Sequence, residues 1–246
     1  MDPLTLTLEP APTRRVLDAL DCDELGTRGV NRALRGLTDG ATATVRNPRG
    51  RHNLAVGLPD PGTVDIDGNA GYFVGGLCGR RDGTGPDIVV HGFTGWSAGE
   101  NLMGGTLRVK GSASQSVGSS ARGGRIFVEG DASLRAGISL KGATVAIAGN
   151  AGAMSGFMAQ AGTILVGGDA GHALGDSLYE AVIYVQGKIA SLGADAVVEE
   201  MTDDDVLAVK RLVEDSGFDH IDPHRVTKVA SARQLYHFSS HQHGTY

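Results

Sequence analysis

The stretch TVAIAGNAGAMSGFMAQAGTILVGGDAGHALG, Thr144–Gly175, decides the fold, because it writes one short pattern twice. Val145-x-Ile147-x-Gly149 returns 19 residues later as Ile164-x-Val166-x-Gly168. Working outward, the glycine closing each apolar run recurs at Gly68, Gly92, Gly111, Gly130, Gly149, Gly168 and Gly187, with a first interval of 24 residues and five of 19. A fixed period near 20 marks a solenoid, in which each repeat is one unit stacked on its neighbours. Four residues before the marker stand Val64, Ile88, Leu107, Ile126, Val145, Ile164 and Ile183. Two before it stand Ile66, Val90, Val109, Val128, Ile147, Val166 and Val185. Such alternation is a strand with one buried face, and β-branched side chains suit that surface. Nineteen residues are too few for a strand plus a crossover helix, so each repeat reads as strand, corner, strand, corner. The expected fold is an all-β solenoid, a right-handed parallel β-helix of about seven coils. It carries a small α/β N-terminal cap and a helical C-terminal extension.

The marker glycines are read as structural corners, where a sharp turn needs positive φ or leaves no room for a Cβ. Small residues follow three positions on (Gly71, Gly95, Ser114, Ser133, Gly152, Gly171) and glycine seven positions on (Gly75, Gly99, Gly118, Gly137, Gly156, Gly175). Ala70, Ala113, Ala132, Ala151 and Ala170, two positions on, read as inward residues where the coil narrows. The repeat also accounts for 38 glycines in 246 residues, and collagen is excluded because glycine does not recur every third position.

A net charge of −6 argues against nucleic acid or an anionic membrane as the main partner. No apolar run is long enough to span a bilayer, and MDPLTLTLEP lacks the basic and apolar blocks of a signal peptide. A cytoplasmic protein is expected, with Cys22 and Cys78 as reduced thiols.

Three regions follow: a cap over 1–62, the repeat over 63–194, and a helix with a docking arm over 195–246. In the first, Leu4, Leu6 and Leu8 alternate like a short strand, and Val30, Ala33, Leu34 and Leu37 recur at helical spacing. Strands are expected near Ala43–Arg46 and Asn53–Gly57, joined by a turn at Asn47–Gly50. Arg80–Pro86 reads as a loop bulging from the rod. In the third region Thr202 caps a helix opening with Asp203, Asp204 and Asp205. That helix has an apolar stripe of Val206, Val209, Leu212 and Val213, with Gly217 at its end.

No constellation carries catalysis: outward carboxylates such as Asp65, Asp67 and Glu129 are scattered among Arg108 and Lys110. His241 and His243 lack a thiol or carboxylate partner for a metal, and Ser114, Gln115 and Ser116 read as a coil corner. Neither a catalytic residue nor a cofactor or metal ligand is expected on this chain. More informative is the outward column Asp65, Val89, Arg108, Phe127, Ala146, Leu165, Tyr184, which turns apolar in its second half. Such a stripe needs a cover, either the C-terminal segment or another subunit. Phe127, Leu165 and Tyr184, with Leu235, Tyr236 and Phe238 of the apolar tail, are the expected partner-binding residues.

At VKGSASQSVG, EGDASLRAG and the repeated G-x-x-G-x-x-x-G, the sequence resembles the C-terminal glycine-rich β-helix domain of glutamate synthase large subunits. With AGENLMGG, GISLKGA, SGFMAQAG, GGDAGHALGDSLYEA, NPRGRHNLAVGL and ASARQLYHF, it is similar to the stand-alone β-helix subunits of N-methylglutamate synthases. That resemblance implies a non-catalytic chain holding two sisters: a class II glutamine amidotransferase-like subunit, and a glutamate-synthase-like subunit bearing FMN and an iron–sulfur cluster. The implied reaction turns glutamate and methylamine into N-methylglutamate and ammonia. Alternatives are a glycine-rich subunit of a formylmethanofuran dehydrogenase and a free-standing β-helix enzyme acting on polysaccharide.

Overall fold

The computed structural model describes residues 19–234. Its strands and helices run β1 (Leu20–Asp21), α1 (Cys22–Leu34), β2 (Thr42–Arg46), β3 (Thr63–Ile66), β4 (Asp87–Val90), β5 (Thr106–Val109) and β6 (Arg125–Val128). They continue with β7 (Lys141–Ile147), β8 (Ala161–Val166), β9 (Val182–Val185), β10 (Ala196–Glu199), α2 (Asp203–Ser216) and β11 (Thr227–Ser231). All strands join one sheet, parallel from β1 to β9 in chain order, so each coil adds its strand to the one before. The two aliphatic columns hold register throughout: Val128 pairs with Val109 and Ile147, and Ile126 with Leu107 and Val145. Both columns face inward with essentially no exposure. The parallel β-solenoid read from the repeat is the fold.

The rod has about eight coils rather than seven, because β2 is a full member of the ladder, pairing Ala43 with Val64 and Val45 with Ile66. Its marker position holds Asn47, in left-handed conformation at φ 53°, and asparagine tolerates that region better than other side chains with a Cβ. The strand expected at Asn53–Gly57 is instead a turn, with Asn53, Ala55 and Gly57 at φ 59°, 51° and 66°. This left-handed alternation recurs in the following coils, five, seven and nine residues past the marker, as at Met154, Gly156 and Met158.

The marker glycines serve stacking more than torsion. Only Gly68 among them has positive φ, whereas a Cβ on Gly111 would come within 3.0 Å of the Gly92 carbonyl carbon, and one on Gly168 within 2.8 Å of that of Gly149. Beside them runs a ladder the sequence reading overlooked. The side chains of Ser112, Asp131, Asn150 and Asp169 each accept the backbone N–H one coil on, at 3.1, 2.7, 2.8 and 2.7 Å.

The second side of each coil shrinks to isolated bridges, Ala70–Thr94–Ala113–Ala132–Ala151–Ala170–Ile189, with Leu174–Leu192 added in the last layer. Thr94 interrupts the alanines, and its buried hydroxyl has no hydrogen-bond partner. An unsatisfied buried hydroxyl costs about 1–3 kcal/mol, while an isosteric apolar group costs little. Thr94→Val is therefore expected to raise the melting temperature by about 2–4 °C. A fall would mean that the hydroxyl is satisfied.

Both ends of the ladder are closed. α1 starts from Asp21, whose carboxylate accepts the Asp23 N–H at 2.8 Å, and it buries Cys22, Val30 and Leu34 against the first coil. Gly26 breaks its helical torsions at φ 60° and ψ 171°. Asn31 fastens the helix to the first coil, donating to the Asn53 carbonyl at 2.7 Å and accepting the Ala55 N–H at 2.8 Å. At the other end β11 runs antiparallel between β9 and β10, which stops further parallel addition. The strand read at Leu4–Leu8 lies outside the described residues. Among the described residues, no helix is long and apolar enough to cross a membrane.

Candidate interaction surface

The apolar outer stripe is covered by the chain itself. Phe127, Ala146, Leu165 and Tyr184 are buried beneath α2 and the segment after it, packed with Val209, Phe218, Ile221 and Val226. The expectation that Phe127, Leu165 and Tyr184 bind a partner is corrected accordingly: an amphipathic helix lands on that stripe in cis and takes it into a second core. Leu235, Tyr236 and Phe238 lie outside the described residues.

What fixes the cover is polar. Thr202 caps α2 and Asp205 reciprocates, the threonine hydroxyl accepting the Asp205 N–H at 3.2 Å and the Asp205 carboxylate accepting the Thr202 N–H at 2.9 Å. The same carboxylate accepts the Tyr184 phenol at 2.6 Å and the Lys228 ammonium at 3.1 Å, tying stripe, helix and β11 together. Lys228 also meets Glu199 at 3.2 Å. Burial alone would raise the Asp205 carboxyl, but the hydrogen bonds from Tyr184, Thr202 and Lys228 outweigh it and hold the group far below the usual carboxylate range. Burial and the bond to Asp205 push the Tyr184 phenol well above its ordinary value. Burial works against the Lys228 charge, and its two carboxylate partners more than restore it. At the far end of α2, Arg108 donates to the Ser216 carbonyl at 2.9 Å and lies 4.8 Å from the centre of the Phe127 ring.

A pH dependence follows with a definite sign. A carboxyl depressed in the folded state contributes stability that is complete above its unfolded value near pH ~4 and lost as pH falls through the lower folded value. Tyr184→Phe should cost about 1.5–3 kcal/mol at neutral pH, as for a hydrogen bond to a charged group. Asp205→Asn should flatten the acid limb of stability below about pH 5. An unchanged acid limb would remove Asp205 from the network holding the cover.

Other candidates resolve into structure. Arg80 of the bulging loop pairs with Asp60, and Asp82 accepts both the N–H and the hydroxyl of Thr84, so the loop is folded onto itself. Asp65 meets His91 at 3.2 Å, while Glu129 meets Arg108 at 3.2 Å and Lys110 at 2.7 Å. Ser114 donates its backbone N–H to the Thr94 carbonyl, in keeping with a coil corner. Both cysteines are free and buried, and burial pushes the Cys78 thiol up to about 11. Among the described residues, no group of three or more metal-ligating side chains comes together. His241 and His243 lie outside them.

One feature was overlooked at the sequence level. Tyr72, Phe73, Leu77, Phe93 and Trp96, on two successive coils, are 39–54% exposed. His52, Tyr72 and Trp96 stack as a ladder, with centroids 4.3 and 5.1 Å apart. Val56, Phe73, Gly76 and Leu77, with Asn53, Asn101 and Glu100, line an adjoining shallow pit of about 250 Å³. Nine positions past the marker, Leu77 stands where other coils have Asn101, Ser120, Ser139, Met158 and Ser177, so the column changes chemistry from coil to coil.

These features define a class, a glycine-rich parallel β-solenoid with a helix laid along one side and an aromatic corner left open. Protein GlxC of Rhizobium meliloti (strain 1021) is 47% identical to the chain over 226 residues, which is 91% of this chain and 97% of that protein. The chain belongs to the GlxC family. No family model matches it.

Proposed function

We propose that the chain is a non-catalytic architectural subunit of a glutamate-synthase-like complex, and more finely of an N-methylglutamate synthase. In this reading it keeps a class II glutamine amidotransferase-like subunit and an FMN- and iron–sulfur-bearing synthase-like subunit in register. The motif string shared with glutamate synthase β-helix domains supports it. The structural observation carrying most weight is the use made of the perturbed polar groups. Asp205, Tyr184 and Lys228 hold the chain's own helix on the rod, and the buried Cys78 thiol donates to the Ala55 carbonyl at 3.1 Å. Strongly shifted groups often mark reaction centres; here they fasten a scaffold. The rod then supplies rigid faces, and the redox and amidotransfer chemistry belongs to the sisters. The purified chain alone is expected to be colourless and to release no ammonia from glutamine or glutamate. Stoichiometric FMN on the lone chain, or ammonia release by it, overturns the proposal.

A further inference from the structure

The 24-residue first interval carries the insertion Arg80–Pro86, whereas the five later intervals are all 19 residues. Stacking does not call for the extra residues, because the later coils close without them. The loop is nonetheless held tightly. The Arg80 N–H donates to the Thr84 carbonyl at 2.7 Å, the Gly83 N–H returns to the Arg80 carbonyl at 3.0 Å, and the Arg80 guanidinium pairs with Asp60. The next coil receives it: Gly105 and Thr106 donate their N–H groups to the Gly83 and Pro86 carbonyls at 3.1 and 2.9 Å. Gly104 fits against the loop because it lacks a Cβ, which would fall inside contact distance of the Thr84 carbonyl oxygen.

What the loop brings to the rod is charge. Arg81, Asp82 and Gly83 line a pit of about 410 Å³ with Met103, Arg122 and Gly123 of the next two coils. Met103, Arg122 and Lys141 each stand eleven residues past a marker, so Lys141 continues this column one coil beyond the pit. Their backbone N–H groups fix the column, each donating to the preceding coil at 2.7–2.8 Å. Among the described residues, neither the Arg81 nor the Arg122 guanidinium has a hydrogen-bond or ion-pair partner. The pit's one acid, Asp82, is engaged by its own loop, where one carboxylate oxygen accepts the N–H and the hydroxyl of Thr84 at 2.9 and 2.7 Å. Two guanidiniums against one carboxylate leave positive charge in excess, on a chain of net charge −6. Holding like charges together on two fixed elements costs free energy that an anion between them recovers. A guanidinium fork takes a carboxylate or phosphate through paired N–H donors, and the pit has the size of a small-molecule site.

We propose that this pit binds a small oxyanion, a carboxylate or phosphate group held between Arg81 and Arg122, and that the insertion serves to bring Arg81 to it. The site goes beyond the subunit reading and does not depend on it, because every residue involved lies on this chain.

The test is thermal melting of the full chain at constant low ionic strength, with succinate and inorganic phosphate as separate probes. At ~10 mM at least one probe should raise the melting temperature by about 3–6 °C, the size expected at a roughly tenfold excess over Kd. The probe that responds identifies the group the pit prefers. Arg81→Gln/Arg122→Gln should reduce the shift to under about 1 °C. Without a probe, that double variant should melt at or above the wild-type temperature, because a like-charge contact has gone. Arg211→Gln, exposed on α2, should leave the shift whole. No shift with either probe, or a shift that survives in the double variant, overturns the proposal. So does a probe-free double variant that melts well below wild type, since the arginines would then be holding the loop. The subunit reading stands in each case.

Discussion

Replacing Val128 by aspartate is expected to leave the chain unfolded. Val128 sits in the middle of the inner column, between Val109 and Ile147, with no exposure. A carboxylate there meets only aliphatic side chains, and burying it unpaired costs more than about 4 kcal/mol even if it takes up a proton. That is a large part of the ~5–15 kcal/mol that holds a typical domain. The neighbouring Glu129→Gln removes a part-buried ion pair to Arg108 and an exposed one to Lys110, and should cost no more than about 1 kcal/mol. Melting curves of the two variants decide the strand phase: equal or reversed losses would mean that the inner and outer faces are exchanged.

The second large effect is expected at a marker glycine. In Gly187→Ala the new Cβ would fall inside contact distance of the Gly168 carbonyl, which is backbone and cannot rotate away. The coils must separate locally or the variant must distort, at about 1–3 kcal/mol, the range for overpacking a tight interior. Gly217→Asn gives the control: Gly217 has φ 74° but open space around it, so asparagine should cost under about 1 kcal/mol. If Gly187→Ala proves as mild as Gly217→Asn, the stacking role assigned to the marker column fails.

How much of this was legible follows from what a repeat can encode. Columns of identical chemistry at a fixed interval specify strand, face and register together, so the ladder from β3 to β9 could be read directly. The first coil could not, because Asn47 replaces the marker, Ala43 replaces a branched side chain, and 21 residues separate Val45 from Ile66. Its turn read as a strand because left-handed alternation at Asn53, Ala55 and Gly57 leaves no mark on hydrophobic periodicity. The Thr202 cap and the apolar face of α2 were legible as local chemistry. Where that face lands is a long-range fact, fixed by Tyr184 and Lys228 meeting Asp205, and spacing along the chain does not carry it. The partner-binding reading of Phe127, Leu165 and Tyr184 failed for that reason. The aromatic corner went unread because its columns change chemistry from coil to coil, so no periodic signal marks it.

The proposed role of the rod, organising chemistry performed on other chains, is tested most directly by omitting the chain. Glutamate-forming or N-methylglutamate-forming turnover, with ammonia balance, is measured for the two sister chains alone and again after adding this chain in equal amount. The sisters alone should keep their separate partial activities, and coupled turnover should rise by at least about tenfold on addition, equivalent to ~1.4 kcal/mol. Full coupled turnover by the sisters without this chain would contradict that role.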